Sequence, residues 1–92
     1  MTVVKIDTKI LTYDTVNLIL KTLKCDLSKQ PTKDLVLDLS DVSNFDSAGV
    51  ALLVELKRLS LLKFKKNLLF RFSNQILQLV TFYELNDLLE LA

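Results

Sequence analysis

Asp46 and Ser47 are the residues of this chain best placed to do chemistry. They stand where a polar loop gives way to an apolar helix, in the run Phe45-Asp46-Ser47-Ala48-Gly49-Val50-Ala51-Leu52-Leu53. The first turn of a helix leaves four backbone N–H groups without intrahelical partners, and the helix dipole adds partial positive charge there. A hydroxyl at that point can face an anion, carry a phosphate or meet a close-packed partner. The simpler role is structural: Asp46 or Ser47 caps the helix, which is worth about 1 kcal/mol against alanine. No capping box reinforces the cap, since Gly49 and Val50 stand three residues beyond Asp46 and Ser47. A phosphate on Ser47 would add about −1.5 to −2 charge, which the helix terminus tolerates and the carboxylates of Asp41 and Asp46 oppose.

Other chemistry is scarce. The chain has no histidine, which removes Ser-His and Cys-His catalysis and most zinc sites. Its one cysteine, Cys25, can form neither an intrachain disulfide nor a metal cluster, and is expected as a core or helix-end residue. Its one glycine, Gly49, excludes a phosphate-binding glycine loop. The carboxylates show no spacing that singles out an acid–base pair, so no enzyme activity and no catalytic residue are expected. The aromatics sit at core spacing without an interleaved basic face, so nucleic acid is not an expected partner. Net charge is +1, too small to recruit a polyanion. The cations Lys57, Arg58, Lys63, Lys65 and Lys66 cluster near a helix C-terminus, where they oppose the negative end of the dipole as a solvated surface.

The elements that must position Asp46 and Ser47 follow from periodicity. Thr2 to Asp7 reads as a strand, and Lys9 to Leu11 as a continuation of the sheet after a turn. Thr12 is expected to cap a helix to about Lys24, with Val16, Ile19, Leu20, Leu23 and Leu27 at helical spacing. Ser28 to Asp34 is a polar loop around Pro31. Leu35 to Leu39 is a nearly continuous apolar run, as in a central strand covered on both faces. A polar loop from Ser40 to Asn44 follows. Ser47 then opens a helix to about Leu62, Leu68 to Phe72 forms a further buried strand, and Ser73 caps a helix whose core face is Ile76, Leu79, Val80 and Tyr83. The tail from Asn86 to Leu91 is apolar and fits either helix or strand. Strands alternating with helices over 92 residues predict one α/β domain with a small mixed or parallel sheet. Sites in such sheets favour the carboxyl ends of strands, where Asp46 and Ser47 fall.

The helix from Ser47 is apolar on two sides. Gly49, Leu52, Leu53, Leu56 and Leu59 form a core stripe, with Gly49 permitting close approach to the sheet. A second stripe holds Val50, Val54 and Leu61, with Lys57 among them and Arg58 at its edge. A surface helix needs only one apolar stripe. The second is therefore covered either by another helix of the domain or by a partner that docks on Ser47, Val50, Val54 and Leu61 with Lys57 and Arg58 at the rim. Half of the residues are hydrophobic, which also points to apolar surface reserved for a partner. Phe45 is expected to plug the core just before the turn. No segment reads as a signal peptide or a membrane span: charges follow Met1 at once, and the run from Ala48 to Val54 stops at Glu55.

The Asp38-Leu39-Ser40 step, the Asp46-Ser47-Ala48-Gly49 motif and the Ala51-Leu52-Leu53-Val54-Glu55-Leu56 helix that follows together resemble the signature of STAS domains. The likeness extends over nearly the whole chain. It implies a STAS-like mixed β-sheet flanked by α-helices and a non-catalytic interaction module spanning residues 1–92. Two branches of that family bear on function. In one, a free-standing domain is the small cytoplasmic subunit of a phospholipid-transport ABC complex that maintains outer-membrane lipid asymmetry. It binds the ATPase subunit, which works with a permease, through the helix opening at this motif. ATP, Mg²⁺ and lipid then belong to the partners, so no cofactor or metal is expected here. The location implied is cytoplasmic, peripheral to the inner membrane through the partner and without membrane insertion. In the other branch, an anti-sigma factor antagonist is released from its partner, an anti-sigma kinase, by phosphorylation of the residue matching Ser47. The Ser47–Leu59 helix resembles the transporter branch. Lys9-Ile10-Leu11-Thr12-Tyr13-Asp14 lacks the glycine-containing step usual in the antagonists.

Overall fold

A computed structural model describes residues 2–6 and 9–91. The chain runs β1 (Thr2–Lys5), β2 (Ile10–Leu11), α1 (Val16–Lys29), β3 (Asp34–Leu39), β4 (Asn44–Phe45), α2 (Ser47–Leu62), β5 (Asn67–Phe72) and α3 (Asn74–Phe82). The expected strand to Asp7 ends at Lys5, and Asp7 lies outside the described residues. The domain is α/β: a sheet ordered β1-β3-β5, a second two-stranded pairing of β2 with β4, and three flanking helices. Every strand pairing among the described residues is parallel.

β3 is the central strand, as its apolar run, interrupted only by Asp38, requires. Its register places Leu35 beside Leu68 and Leu37 beside Phe70, so residues of both strands face the same way. Those side chains meet Leu23 and Leu27 of α1, Leu52, Leu53 and Leu56 of α2, and Ile76 and Val80 of α3 in one contiguous core. The opposite face of β3 carries Val36, fully buried between Val3 and Leu69 in register.

The first helix departs from expectation at both ends. It begins at Val16 rather than after Thr12, because Thr12 to Thr15 close a turn first. The Thr15 N–H donates to the Thr12 carbonyl at 2.9 Å, and the Thr15 Oγ1 accepts the Thr12 N–H at 3.1 Å. It continues five residues past Lys24 because Leu27 still falls on the buried stripe. It stops at Lys29 because Gln30, the residue before Pro31, is extended. Cys25 is exposed, not a core residue: it lies half a turn away from the buried Leu23 and Leu27.

The third helix is capped by Ser73, whose hydroxyl accepts the Ile76 N–H at 3.4 Å. Ile76 and Val80 are buried as expected, whereas Tyr83 lies past the helix end and is exposed. The tail is a turn that reaches the sheet. The Phe70 N–H donates to the Glu90 carbonyl at 2.9 Å, and Leu91 bridges Phe70 in parallel.

Candidate functional site

The short β2–β4 pairing, which hydropathy did not indicate, sets up the start of α2. The Ser43 and Asn44 N–H groups both donate to the Lys9 carbonyl at 3.0 Å. β4 then runs directly into Asp46, while β2 runs into Tyr13. The Asp46 carboxylate joins the two paths: Oδ1 accepts the N–H groups of Ala48 and Gly49 at 3.0 and 3.2 Å, and Oδ2 accepts the Tyr13 N–H at 3.0 Å. Asp46 is thus the helix cap, and Ser47 is the first helical residue, exposed on the surface. The division of labour follows from backbone geometry. Asp46 is extended, so its side chain can turn back onto the first free N–H groups, which a residue already in the helix cannot do.

Gly49 is required by close packing against this small sheet. A Cβ there would stand 2.6 Å from the Phe45 ring and 2.7 Å from the Leu11 carbonyl oxygen. Gly49 therefore seats α2 on β2 and β4 rather than on the central sheet. Phe45 packs on the core at that seam, as its position implied.

The Asp38-Leu39-Ser40 step ends β3 in a side-chain turn, with the Ser40 N–H donating to Asp38 Oδ1 at 2.9 Å. Hydrogen bonds from the Ser40 hydroxyl and N–H hold the Asp38 carboxyl below its ordinary range, with smaller help from the Lys5 and Arg71 charges. Nearby, Lys5 pairs with Asp41 at 2.8 Å.

The core stripe of α2, namely Gly49, Leu52, Leu53, Leu56 and Leu59, is buried throughout. The second stripe is divided. Val50 is buried within the domain and Val54 is partly buried against the core, while Leu61 is 48% exposed. Lys57 is not a rim cation. It is 3% exposed, and its Nζ donates to the Leu68 carbonyl at 2.6 Å and lies 3.4 Å from Glu90 Oε1. Arg58 is exposed, but Glu55 one turn earlier takes its guanidinium in two hydrogen bonds at 3.0 and 2.5 Å. That pairing lowers the Glu55 carboxyl and raises the Arg58 guanidinium. Lys66 is also spent internally, on the carbonyls of Gln30 and Thr32. The cations after Val54 are therefore not one solvated surface. Three of them tie the helix and its exit to neighbouring elements or to the helix itself.

Two grooves run along the outer face of α2. One, of about 310 Å³, is lined by Ser47, Val50, Ala51, Tyr83 and Leu85. The other, of about 320 Å³, is lined by Val54, Lys57, Arg58, Leu61, Leu62 and Leu88. Each of the six residues expected to meet a partner lines one of them. Leu62, Tyr83, Leu85 and Leu88 complete the walls and were not legible as site residues. The last three come from beyond α3, and only the return of the tail beside α2 brings them there. Leu61, Leu62, Tyr83 and Leu88 all remain substantially exposed, so this face carries uncovered apolar surface.

Among the described residues, no group of three His, Cys, Asp or Glu side chains could hold a metal ion, and no helix is long and apolar enough to cross a membrane. The sequence model of the STAS domain family matches residues 1–92. No individual curated protein matches the chain at a significant level.

Proposed function

The chain belongs to the STAS domain family, whose members are in general non-catalytic regulatory or binding domains, and on that footing we propose that it is a docking subunit for the ATPase of a phospholipid-transport ABC complex, of the MlaB type. One observation carries the docking part of this reading: along the outer face of α2, Leu61, Leu62 and Leu88 stay exposed around one apolar groove, and a second groove opens beside Ser47. Burying such a face is favourable at roughly 25 cal/mol per Å² of apolar surface. A face of this kind suits a lasting partner, because obligate interfaces are more hydrophobic than transient ones. The subunit acts by position. It packs against the ATPase and favours its assembled form, while nucleotide, metal and lipid are handled by the partners.

A second reading rests on Ser47. Because Asp46 takes the cap, the Ser47 hydroxyl is exposed at the first position of α2 and open to a kinase, as in a phosphorylation-switched anti-sigma factor antagonist. A phosphate there would stand in the groove lined by Ser47, Val50 and Tyr83 and oppose burial of that face.

Affinity purification of the tagged chain beside Leu61→Asp and Ser47→Asp separates the readings. Recovery of an ABC ATPase with its permease by the wild type, lost in a Leu61→Asp protein that melts normally, supports the transporter subunit. Recovery of a serine kinase or sigma regulator, with phosphate on Ser47, overturns it in favour of the switch.

A further inference from the structure

One wall of the groove beside Val54, Leu61 and Leu62 belongs to no helix. Leu88 lies in the segment that follows α3, and that segment is joined to the rest of the molecule in an unusual way. It leaves α3 through a well-made C-terminal turn: the Leu85 N–H donates to the Val80 carbonyl and the Glu84 N–H to the Thr81 carbonyl, both at 3.0 Å, with Glu84 left-handed at φ 58°. Among the described residues beyond this turn, one side chain is fully buried, that of Leu89. The remaining ties to distant elements converge on Glu90 and Leu91. The Glu90 carbonyl accepts the Phe70 N–H at 2.9 Å, the Glu90 carboxylate faces Lys57 Nζ at 3.4 Å, and Leu91 bridges Phe70.

Those ties fall on the outer edge of β5. Leu68 and Phe70 are alternate residues of the strand, and their outward backbone groups are taken in succession by the Lys57 ammonium and the Glu90 carbonyl. An uncovered sheet edge would be open to pairing with another chain. The ion pair is asymmetric: Lys57 is buried, whereas the Glu90 side chain is 55% exposed. Solvent reaches the strap side of the pair and weakens its hold.

We propose that residues 86–91 form a releasable strap, pinned by Glu90, which completes the groove beside Val54 and Leu61 and shields both Lys57 and the outer edge of β5. Segments held by few buried contacts open at lower free energy than the whole fold. The strap is held by one buried leucine, the Glu90 carbonyl bond and Leu91 bridge to Phe70, the Asn86 side-chain bond to Thr81 and one half-exposed ion pair, against the many core contacts of β3 and α2. Closed, it supplies Leu88 as a groove wall; released, it removes that wall and uncovers an ammonium. Its use in regulating a partner rests on the docking reading of α2, but the strap itself rests only on contacts within this chain.

The test uses the free protein, so its result is independent of whether any ATPase binds. Amide hydrogen exchange of Phe70 and Leu37, and acetylation of Lys57 by acetic anhydride read by mass spectrometry, are compared in wild type and Glu90→Gln. The strap requires Glu90→Gln to speed both Phe70 exchange and Lys57 acetylation about threefold to tenfold, with Leu37 on the central strand unchanged. Lys57→Met, which retains the bulk of the side chain, is expected to speed Phe70 exchange in the same way. Equal acceleration at Phe70 and Leu37 would mean that the segment opens only when the whole domain unfolds. Unchanged Phe70 and Lys57 rates would mean that Glu90 pins nothing. Either result overturns the proposal.

Discussion

At the scale of single residues, Asp46 and Ser47 have separate duties although they are neighbours. The Asp46 carboxylate satisfies three backbone N–H groups, two of α2 and one of the Tyr13 turn, so it fixes both the start of α2 and the approach of that turn. Asp46→Ala is therefore expected to lower stability by about 1–2 kcal/mol, read as a fall in the urea midpoint at constant slope. Ser47→Ala, at an exposed position outside the cap, is expected to change it by less than about 0.5 kcal/mol. A comparable loss in both variants would contradict this assignment. Gly49 is limited by space rather than by backbone conformation. A methyl there meets a carbonyl oxygen and an aromatic ring at once, and the backbone oxygen of Leu11 cannot swing aside as a side-chain end could. Gly49→Ala is expected to cost about 1–3 kcal/mol by overpacking, measured in the same titration.

At the scale of elements, the notable feature is how each secondary structure is stopped and aimed. β3 ends at the Asp38–Ser40 turn, and that turn depends on a carboxylate. The Asp38 carboxyl is held below its ordinary range in the folded protein, so the unfolded chain takes up its proton first as pH falls. The stabilisation is present above the unfolded carboxylate range, near pH 4, and fades as pH drops through the lower folded value. Asp38→Asn is expected to be less stable than wild type at pH 6, and the gap is expected to close towards pH 2. Urea midpoints taken across that range check it; a gap constant with pH would remove the ionised carboxylate from the explanation. α2 shows a related economy of charge. Lys57 sits on an otherwise apolar face, yet its ammonium fills a gap in hydrogen bonding along β5 rather than standing in water. A long lysine stem can bury its methylenes against leucines while its end reaches a carbonyl.

At the scale of the molecule, one connected core links the main sheet, all three helices and Leu89 of the tail. Small domains built on a single core unfold in an all-or-none manner. Thermal unfolding is expected to be one transition, with the calorimetric enthalpy equal to the van't Hoff value. Because Cys25 is the only cysteine and is exposed, a reducing agent is expected to leave the melting temperature of freshly reduced protein unchanged. The strap is the exception to this unity. It contributes Leu89 to the core but reaches β5 through Glu90 and Leu91, which is why its opening is expected in hydrogen exchange and not as a second thermal step.

The amino-acid sequence by itself determined the features that depend on neighbours along the chain. The nearly continuous apolar run Leu35–Leu39 specified a central strand, the 3.6-residue recurrence from Gly49 to Leu59 specified the buried face of α2, and Ser73 marked the start of α3. The Asp38-Leu39-Ser40 and Asp46-Ser47-Ala48-Gly49 motifs pointed to the STAS family. Tertiary structure decided what depends on residues far apart. Thr12 reads as the cap of α1, but the Thr12–Thr15 turn delays the helix to Val16, and Tyr13 within that turn donates to Asp46, thirty-three positions away. The β2–β4 pairing involves two residues on each side, too few for a hydropathy pattern. Lys57 reads as a surface cation until β5 offers it a carbonyl and the tail a carboxylate. The far walls of the two grooves, Tyr83 and Leu85 in one and Leu88 in the other, join α2 only in three dimensions. Periodicity reports which side of an element is apolar; which neighbour covers that side is set by packing, and packing is not local in the chain.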